Sequence, residues 1–348
     1  MKRSIYLDLA EAGHSAPIGT HLVLHTRIDS DSILLNGSAL GGVVAETADR
    51  FKTPLAVPLM DLTLEKAALL EEMGIASSEV DAFHFDQPPQ FSGSLKITPR
   101  MRATCEAIHH VASKTSLLPI GMGIGPFSLM TKLVKDPITP VFLAGCGMSP
   151  EEEPEVGVIE RCMEIGIELI LSYFSAQAEA GAKAIIVCEP AANLVYFSPN
   201  QLEESFEIFD RYVMNPMRRI KALLDAKGVD LIFHDCGELT HEMVARFATL
   251  DPAMMSLGCS RCLWEDAALV QKSTVLYGNL PTKRFYSPQL TVSDVESMSV
   301  ELLNQMRQTG HPFILGSECD VLSVPGSETE ILSKVDAFMK TAHSFNSR

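Results

Sequence analysis

Leu231-Ile232-Phe233-His234-Asp235-Cys236-Gly237 and Phe313-Ile314-Leu315-Gly316-Ser317-Glu318-Cys319 are the two stretches from which this chain is best read. Each is an apolar run too short for a helix and suited to a buried strand, and each ends in residues that bind soft or borderline metals. Side chains alternate along a strand with a period of two, so His234 and Cys236 leave on the same side and can face one ion. Cys319 brings a second thiol from another strand end.

The same rhythm recurs outward from these two stretches. Apolar runs at 20–25, 54–62, 117–125, 182–188, 230–234, 253–257, 274–278 and 312–317 are the expected strands. Helical spacing falls between them, at 37–51, 64–73, 99–113, 127–134, 156–180, 198–227, from about 240, and at 264–271, 292–309 and 326–342. Ser198-Pro199 starts its helix as a cap followed by a proline in the first turn. A polar, proline-bearing excursion occupies 75–98, and 136–155 reads as an irregular loop. Eight strands, each followed by at least one helix, predict an α/β fold, a (β/α)8 TIM barrel. An open doubly wound sheet is the alternative, but no Gly-rich phosphate loop follows the first strand. No break in composition separates two domains, so residues 1–348 are expected to form one.

Composition narrows the function. The 348-residue chain is 46% hydrophobic, ample for a large core, and its net charge of -16 would repel a phosphate backbone. Nucleic acid is therefore not an expected partner. No run approaches the roughly 18 apolar residues of a membrane span. The N-terminal segment turns acidic before any apolar core develops, unlike a signal peptide. Eight cysteines occur. A chain this long needs no disulfides, and several thiols lie in apolar segments, so a reducing, cytoplasmic setting is expected. The oligomeric state is not fixed by the sequence; a homodimer is one expectation.

In a TIM barrel the chemistry sits at the C-terminal ends of the strands, where His234, Cys236 and Cys319 fall. Two cysteines and one histidine leave a fourth position open, the arrangement of a catalytic zinc. A buried histidine with two inert thiols is the plainer alternative, and the placement at two strand ends favours metal. Cys259-Ser-Arg-Cys262 has a familiar metal or redox spacing but lacks a second pair, so it is expected only to flank a loop. Glu189 follows the fourth strand and is the expected catalytic carboxylate, as a fourth ligand or proton acceptor. Asp61, Asn193 and Asn279 follow other strands as candidates for holding substrate. His25 and His311 are expected to be structural.

His234-Asp-Cys-Gly with a late Leu315-Gly-Ser-Glu-Cys, Gly278-Asn-Leu after the seventh strand, and the Gly123-Ile-Gly-Pro-Phe-Ser-Leu-Met turn resemble the uroporphyrinogen decarboxylase superfamily. Within it they are similar to the corrinoid-dependent methyltransferases typified by methylcobamide:coenzyme M methyltransferases. The resemblance runs from about Asp61 to the C-terminus. His-x-Cys with the distant Cys corresponds to that branch's zinc ligands and is its most specific part. The decarboxylases use no metal and carry an arginine-rich N-terminal segment; the first 60 residues here hold only Arg3, Arg27 and Arg50. Such a metal-free decarboxylase, acting on a tetrapyrrole-like or other carboxylated substrate, is the alternative function. Glu318 departs from the methyltransferases, which have a small residue before the cysteine.

The resemblance implies methyl transfer between a methylcorrinoid (cobalamin), carried by a separate corrinoid protein, and a small-molecule acceptor, often a thiol. Zn2+ would hold that thiol as a thiolate at neutral pH. A D-x-H-x-x-G cobalamin motif is absent from the chain, so the corrinoid should arrive from outside.

Overall fold

In a computed structural model, which describes residues 3–91 and 96–346, the strands are β1 (Ser15–Ile18), β2 (Leu55–Ala56), β3 (Leu118–Ile124), β4 (Ala184–Cys188), β5 (Asp230–Asp235), β6 (Met254–Leu257), β7 (Val275–Leu280) and β8 (Phe313–Asp320). Their spatial order is β1-β8-β7-β6-β5-β4-β3-β2 and every pair is parallel. Helices make the crossovers. This is the TIM barrel that the alternation of strands and helices predicts. No β1–β2 ladder occurs among the described residues; the seam is bridged by the Thr20 hydroxyl, which donates to the Val57 carbonyl at 2.7 Å.

Alternation along the strands sorts the core. Ile120, Met122, Ile186, Ile232, Met254 and Ile314 fill the barrel, whereas their neighbours Ile185, Val187, Leu231, Phe233 and Leu315 pack beneath the helices. Phe233 is fully buried, with its ring 4.2 Å from that of Phe247 on the helix His241–Ala248. Burial of such a ring stabilises the fold by roughly 2–3 kcal/mol. With Phe233 held outward, the pleat turns His234 inward. Gly316 is required at this level, because a Cβ there would lie 2.4 Å from the Tyr277 ring. Tyr277 donates to the Ala16 carbonyl at 2.7 Å, tying β7 to β1 across β8.

Several local expectations are corrected. The run 20–25 is not a strand: Thr20–Leu24 is a short helix, and the first strand is the preceding Ser15–Ile18. A brief run of buried apolar residues fits either state, and Pro17 disguised a strand that lies at the end of the ladder, where proline is tolerated. The second strand is confined to Leu55–Ala56. The 136–155 stretch contains a helix, Ile138–Gly145. The helix expected over 198–227 is divided into Pro199–Glu204, Glu207–Phe209, a π-helical turn Asp210–Met214, and Asn215–Lys227. Pro216 has no N–H to continue the α ladder, which accounts for the wide turn just before it. Only Leu263–Asp266 of 264–271 and its flank is helical. Part of the 75–98 excursion, residues 92–95, lies outside the described residues.

One buried carboxyl makes the fold sensitive to alkali. Glu65, on the helix Leu64–Glu72, is fully buried; Oε1 accepts the Ile124 amide at 3.2 Å and Oε2 has no partner. Burial raises its pKa to about 8, against the Ile124 hydrogen bond, with the charge of Asp61 adding to the rise. The folded state holds this proton more tightly than the unfolded chain does. Its stabilisation is therefore full below the ordinary carboxylate range and is lost as pH rises through about 8. Glu65→Gln, neutral throughout, should melt with wild type at about pH 5 and above it at about pH 9. Thermal melts across pH should show a difference on the order of a few kcal/mol at the alkaline end, and parallel profiles would refute this.

Candidate metal centre

Strand register builds the site. His234 on β5 lies opposite Ser256 on β6, and Nδ1 is 2.9 Å from the Ser256 hydroxyl. That bond fixes the ring and leaves Nε2, which is buried and has no hydrogen-bond partner. A buried polar nitrogen without a partner is costly, and an ion is one way to satisfy it. Cys236 follows β5 directly, and Cys319 lies near the end of β8. Their sulfurs are 3.8 Å apart, and the three ligand atoms of His234, Cys236 and Cys319 lie within 4.8 Å of one another. The spacing of the sequence motif thus becomes one cluster at the C-terminal end of the barrel.

The loops around it are shaped to the same end. A Cβ on Gly258 would lie 2.8 Å from the Cys236 carbonyl, so the strand-six loop approaches only because that residue is glycine. Met60, after β2, places its sulfur 3.7 Å from that of Cys319. Between the two thiols the proton is shared unequally. One is driven low by the hydrogen bond from the other sulfur, helped by His234 and Lys283, and its partner is driven high by the same hydrogen bond. A thiolate is thus accessible at the cluster, which metal binding requires.

Two side chains that the sequence motifs do not flag stand at this end of the barrel. Lys283 lies on the turn Thr282–Arg284 after β7. Burial lowers the pKa of its ammonium, but Cys236, Cys319 and Glu318 outweigh burial and raise it. Glu318, 4% exposed, accepts the Cys259 amide at 3.2 Å. Lys283 thus acts as a nearby cation for the two sulfurs first and for Glu318 after them. The sequence signal for Lys283 was its place just past a strand end, behind Gly278-Asn-Leu. His21, whose ring contacts Asp320 at the same end of the barrel, is the second.

The other expected site residues have local tasks. Glu189 is fully buried, and its carboxylate accepts the Phe127 amide at 3.1 Å and the Ser128 amide at 2.8 Å, at the N-terminus of the helix Pro126–Leu133. It faces that helix end and is not brought into the metal cluster. Asp61 accepts from the Thr63 hydroxyl at 2.7 Å and lies 3.7 Å from Arg100. Asn193 closes a turn, donating to the Pro190 carbonyl at 2.6 Å and accepting the Val195 amide at 2.7 Å. Asn279 donates to the Gly258 and Arg261 carbonyls, both at 2.9 Å, and so anchors the loop that carries Cys259 and Cys262. Those two thiols stay outside the cluster, and burial together with Glu318 pushes Cys259 up to about 12. His311 Nε2 donates to the Thr274 carbonyl, 2.9 Å away at the opposite end of the barrel.

The family model for uroporphyrinogen decarboxylase (URO-D) matches residues 47–345. The chain belongs to the uroporphyrinogen decarboxylase family. A solved methyltransferase from Methanosarcina mazei shares the fold, with a TM-score of 0.67 at 14% identity, covering 99% of this chain and 98% of that one. No curated protein sequence matches the chain. Within this uroporphyrinogen decarboxylase family member, the match begins after β1 and the helix Thr20–Leu24, so the segment bearing His21 lies outside it. Among the described residues no helix is long and apolar enough to cross a membrane.

The hydroxyl of Ser256 offers a direct check on the cluster. Ser256→Ala removes the hydrogen bond that orients His234, and partners of this kind are worth about 10–100-fold in metal affinity. Competition with a chromophoric chelator should show a loss of that size with the fold intact by circular dichroism. An unchanged affinity would mean that His234 is not a ligand.

Proposed function

We propose that this protein is a zinc-dependent methyltransferase that moves a methyl group between a corrinoid carried by another protein and a small acceptor, a thiol in the simplest case. The observation that carries the proposal is the convergence of the unpartnered His234 Nε2 with the sulfurs of Cys236 and Cys319. This donor set fits zinc and leaves one position for an exchangeable ligand. His234, Cys236 and Cys319 would hold the ion, and when bound it supplies the Lewis acidity that keeps a coordinated thiol ionised at neutral pH. Cys236 and Cys319 as cysteinates would balance the charge of the ion, so that an acceptor sulfur would keep its nucleophilicity.

The remaining roles belong to the chain. Ser256 fixes the imidazole, and Lys283 offsets the charge of Glu318. The structural neighbour from Methanosarcina mazei, itself a methyltransferase, and the His-x-Cys motif with its distant cysteine support methyl transfer. Decarboxylation of a polycarboxylate is less well served: Arg100 is engaged by Asp61, and Lys283 by the thiols and Glu318. The net charge of -16 suits a carrier protein with a basic docking face.

The test is demethylation of methylcobalamin by zinc-loaded protein with a panel of small thiols, followed by the corrinoid absorption spectrum. Thiol-dependent loss of the methylcobalamin bands, absent without zinc, is expected. Unchanged spectra with every thiol would refute the proposal.

A further inference from the structure

The helix Thr20–Leu24 begins two residues past the end of β1, so its first turn lies at the C-terminal end of the barrel. From that turn His21 reaches across the sheet to β8, where Nδ1 is hydrogen-bonded to Asp320 Oδ2. Asp320 is 5% exposed, and its other oxygen, Oδ1, is buried without a partner. The imidazole is 23% exposed, and its Nε2 makes no hydrogen bond among the described residues. A buried carboxylate behind one ring nitrogen and an open second nitrogen is the geometry of an oriented base. Asp320 directly follows Cys319, whose sulfur touches Met60, and Asp61, the next residue, is one of the charges acting on His21. The dyad and the sulfur cluster therefore share the C-terminal end of the barrel.

A purely structural role would be to pin the helix to β8. The helix is already held from its other side, since Val23 and Leu24 are buried against Leu40, Val43 and Ala107 of neighbouring helices. A buried carboxylate with an unpartnered oxygen is an expensive way to add to such packing. The charged and titratable groups around His21 are Asp320, Asp61, Arg100 and His25. Burial lowers the pKa of His21, but Asp320 and Asp61 outweigh burial and raise it.

We propose that His21, oriented by Asp320, is the proton acceptor for the substrate group that becomes the nucleophile at the sulfur–imidazole cluster. This rests on the reading that the acceptor is a protonated thiol. The S–H bond breaks, the proton passes to His21 Nε2, and the electron pair stays on sulfur. After methyl transfer the proton returns to solvent.

The test is calorimetric titration of 2-mercaptoethanol into zinc-loaded protein at about pH 8, where an imidazole is mostly neutral, in buffers of different ionisation enthalpy. Wild type should release almost no proton to buffer on binding the thiol, and His21→Gln about one. Zinc content should be equal in both. Methyl transfer by His21→Gln should fall about 10²-fold near neutral pH, with the deficit closing as pH rises and the thiol ionises unaided. His25→Gln should behave as wild type. Histidine-labelled wild type, which needs no variant to fold, should show one imidazole gaining a proton when the thiol is added. Equal proton release in both proteins with superimposable pH profiles overturns the assignment and leaves methyl transfer standing. If wild type with zinc neither binds nor methylates any thiol, both fall together.

Discussion

Wild type should purify with about one zinc ion per chain, Cys236→Ala and Cys319→Ala without it, and Cys259→Ala with it. The reason is positional. Cys236 and Cys319 place their sulfurs 3.8 Å apart beside His234, whereas Cys259 hydrogen-bonds Glu318 and stays outside the cluster. Removing a direct ligand should cost more than the roughly 10–100-fold lost with an outer partner, so thiol methylation should drop below detection. Elemental analysis of the three variants alongside wild type decides the matter. Zinc retained by Cys319→Ala, or lost from Cys259→Ala, would place the centre elsewhere.

The second large effect is on stability. A Cβ at Gly125 would lie 2.1 Å from Glu189 Cδ, closer than any relaxed contact. Gly125→Ala must therefore push the carboxylate off the Phe127 and Ser128 amides. Two buried amides would lose their acceptor, each at about 1–3 kcal/mol, so destabilisation of about 3–5 kcal/mol is expected. Glu189→Ala should cost a similar amount for the same reason. Glu189→Gln keeps one acceptor oxygen but sets an NH2 against the other amide, so it should lose about 1–3 kcal/mol of stability yet transfer methyl groups within about threefold of wild type, because the carboxylate serves the helix end and not the cluster. Denaturant midpoints and methylation rates on the same preparations separate these outcomes. A stable Glu189→Gln protein with no activity would restore Glu189 as a catalytic group.

The barrel and its metal-type cluster were legible because both follow from short-range periodicity. His234 ends one strand with Cys236 two residues on, and closing the parallel barrel brings Cys319 near the end of β8 to them. The first strand was not legible, because Pro17 conceals it and Leu22-Val-Leu looks the same buried in a helix as in a strand. Glu189 is a different case. Its place after a strand is plain in the sequence, but only the structure shows that Gly125 clears a path for it to the amides of Phe127 and Ser128. Lys283 was marked only by its place just past a strand end and His21 by nothing local, because each meets its partners from a connecting turn or helix at the barrel mouth, which no local spacing records.

The seam between β1 and β2 divides the molecule mechanically. His234, Cys236 and Cys319 stand on strands that are hydrogen-bonded without interruption from β5 through β8. His21 stands beyond one lip of the seam and Met60 and Asp61 beyond the other, joined across it by the bond from Thr20 to Val57. The back of the barrel, which carries the three donors, is thus tied by continuous ladders, and its front by the bond from Thr20 to Val57.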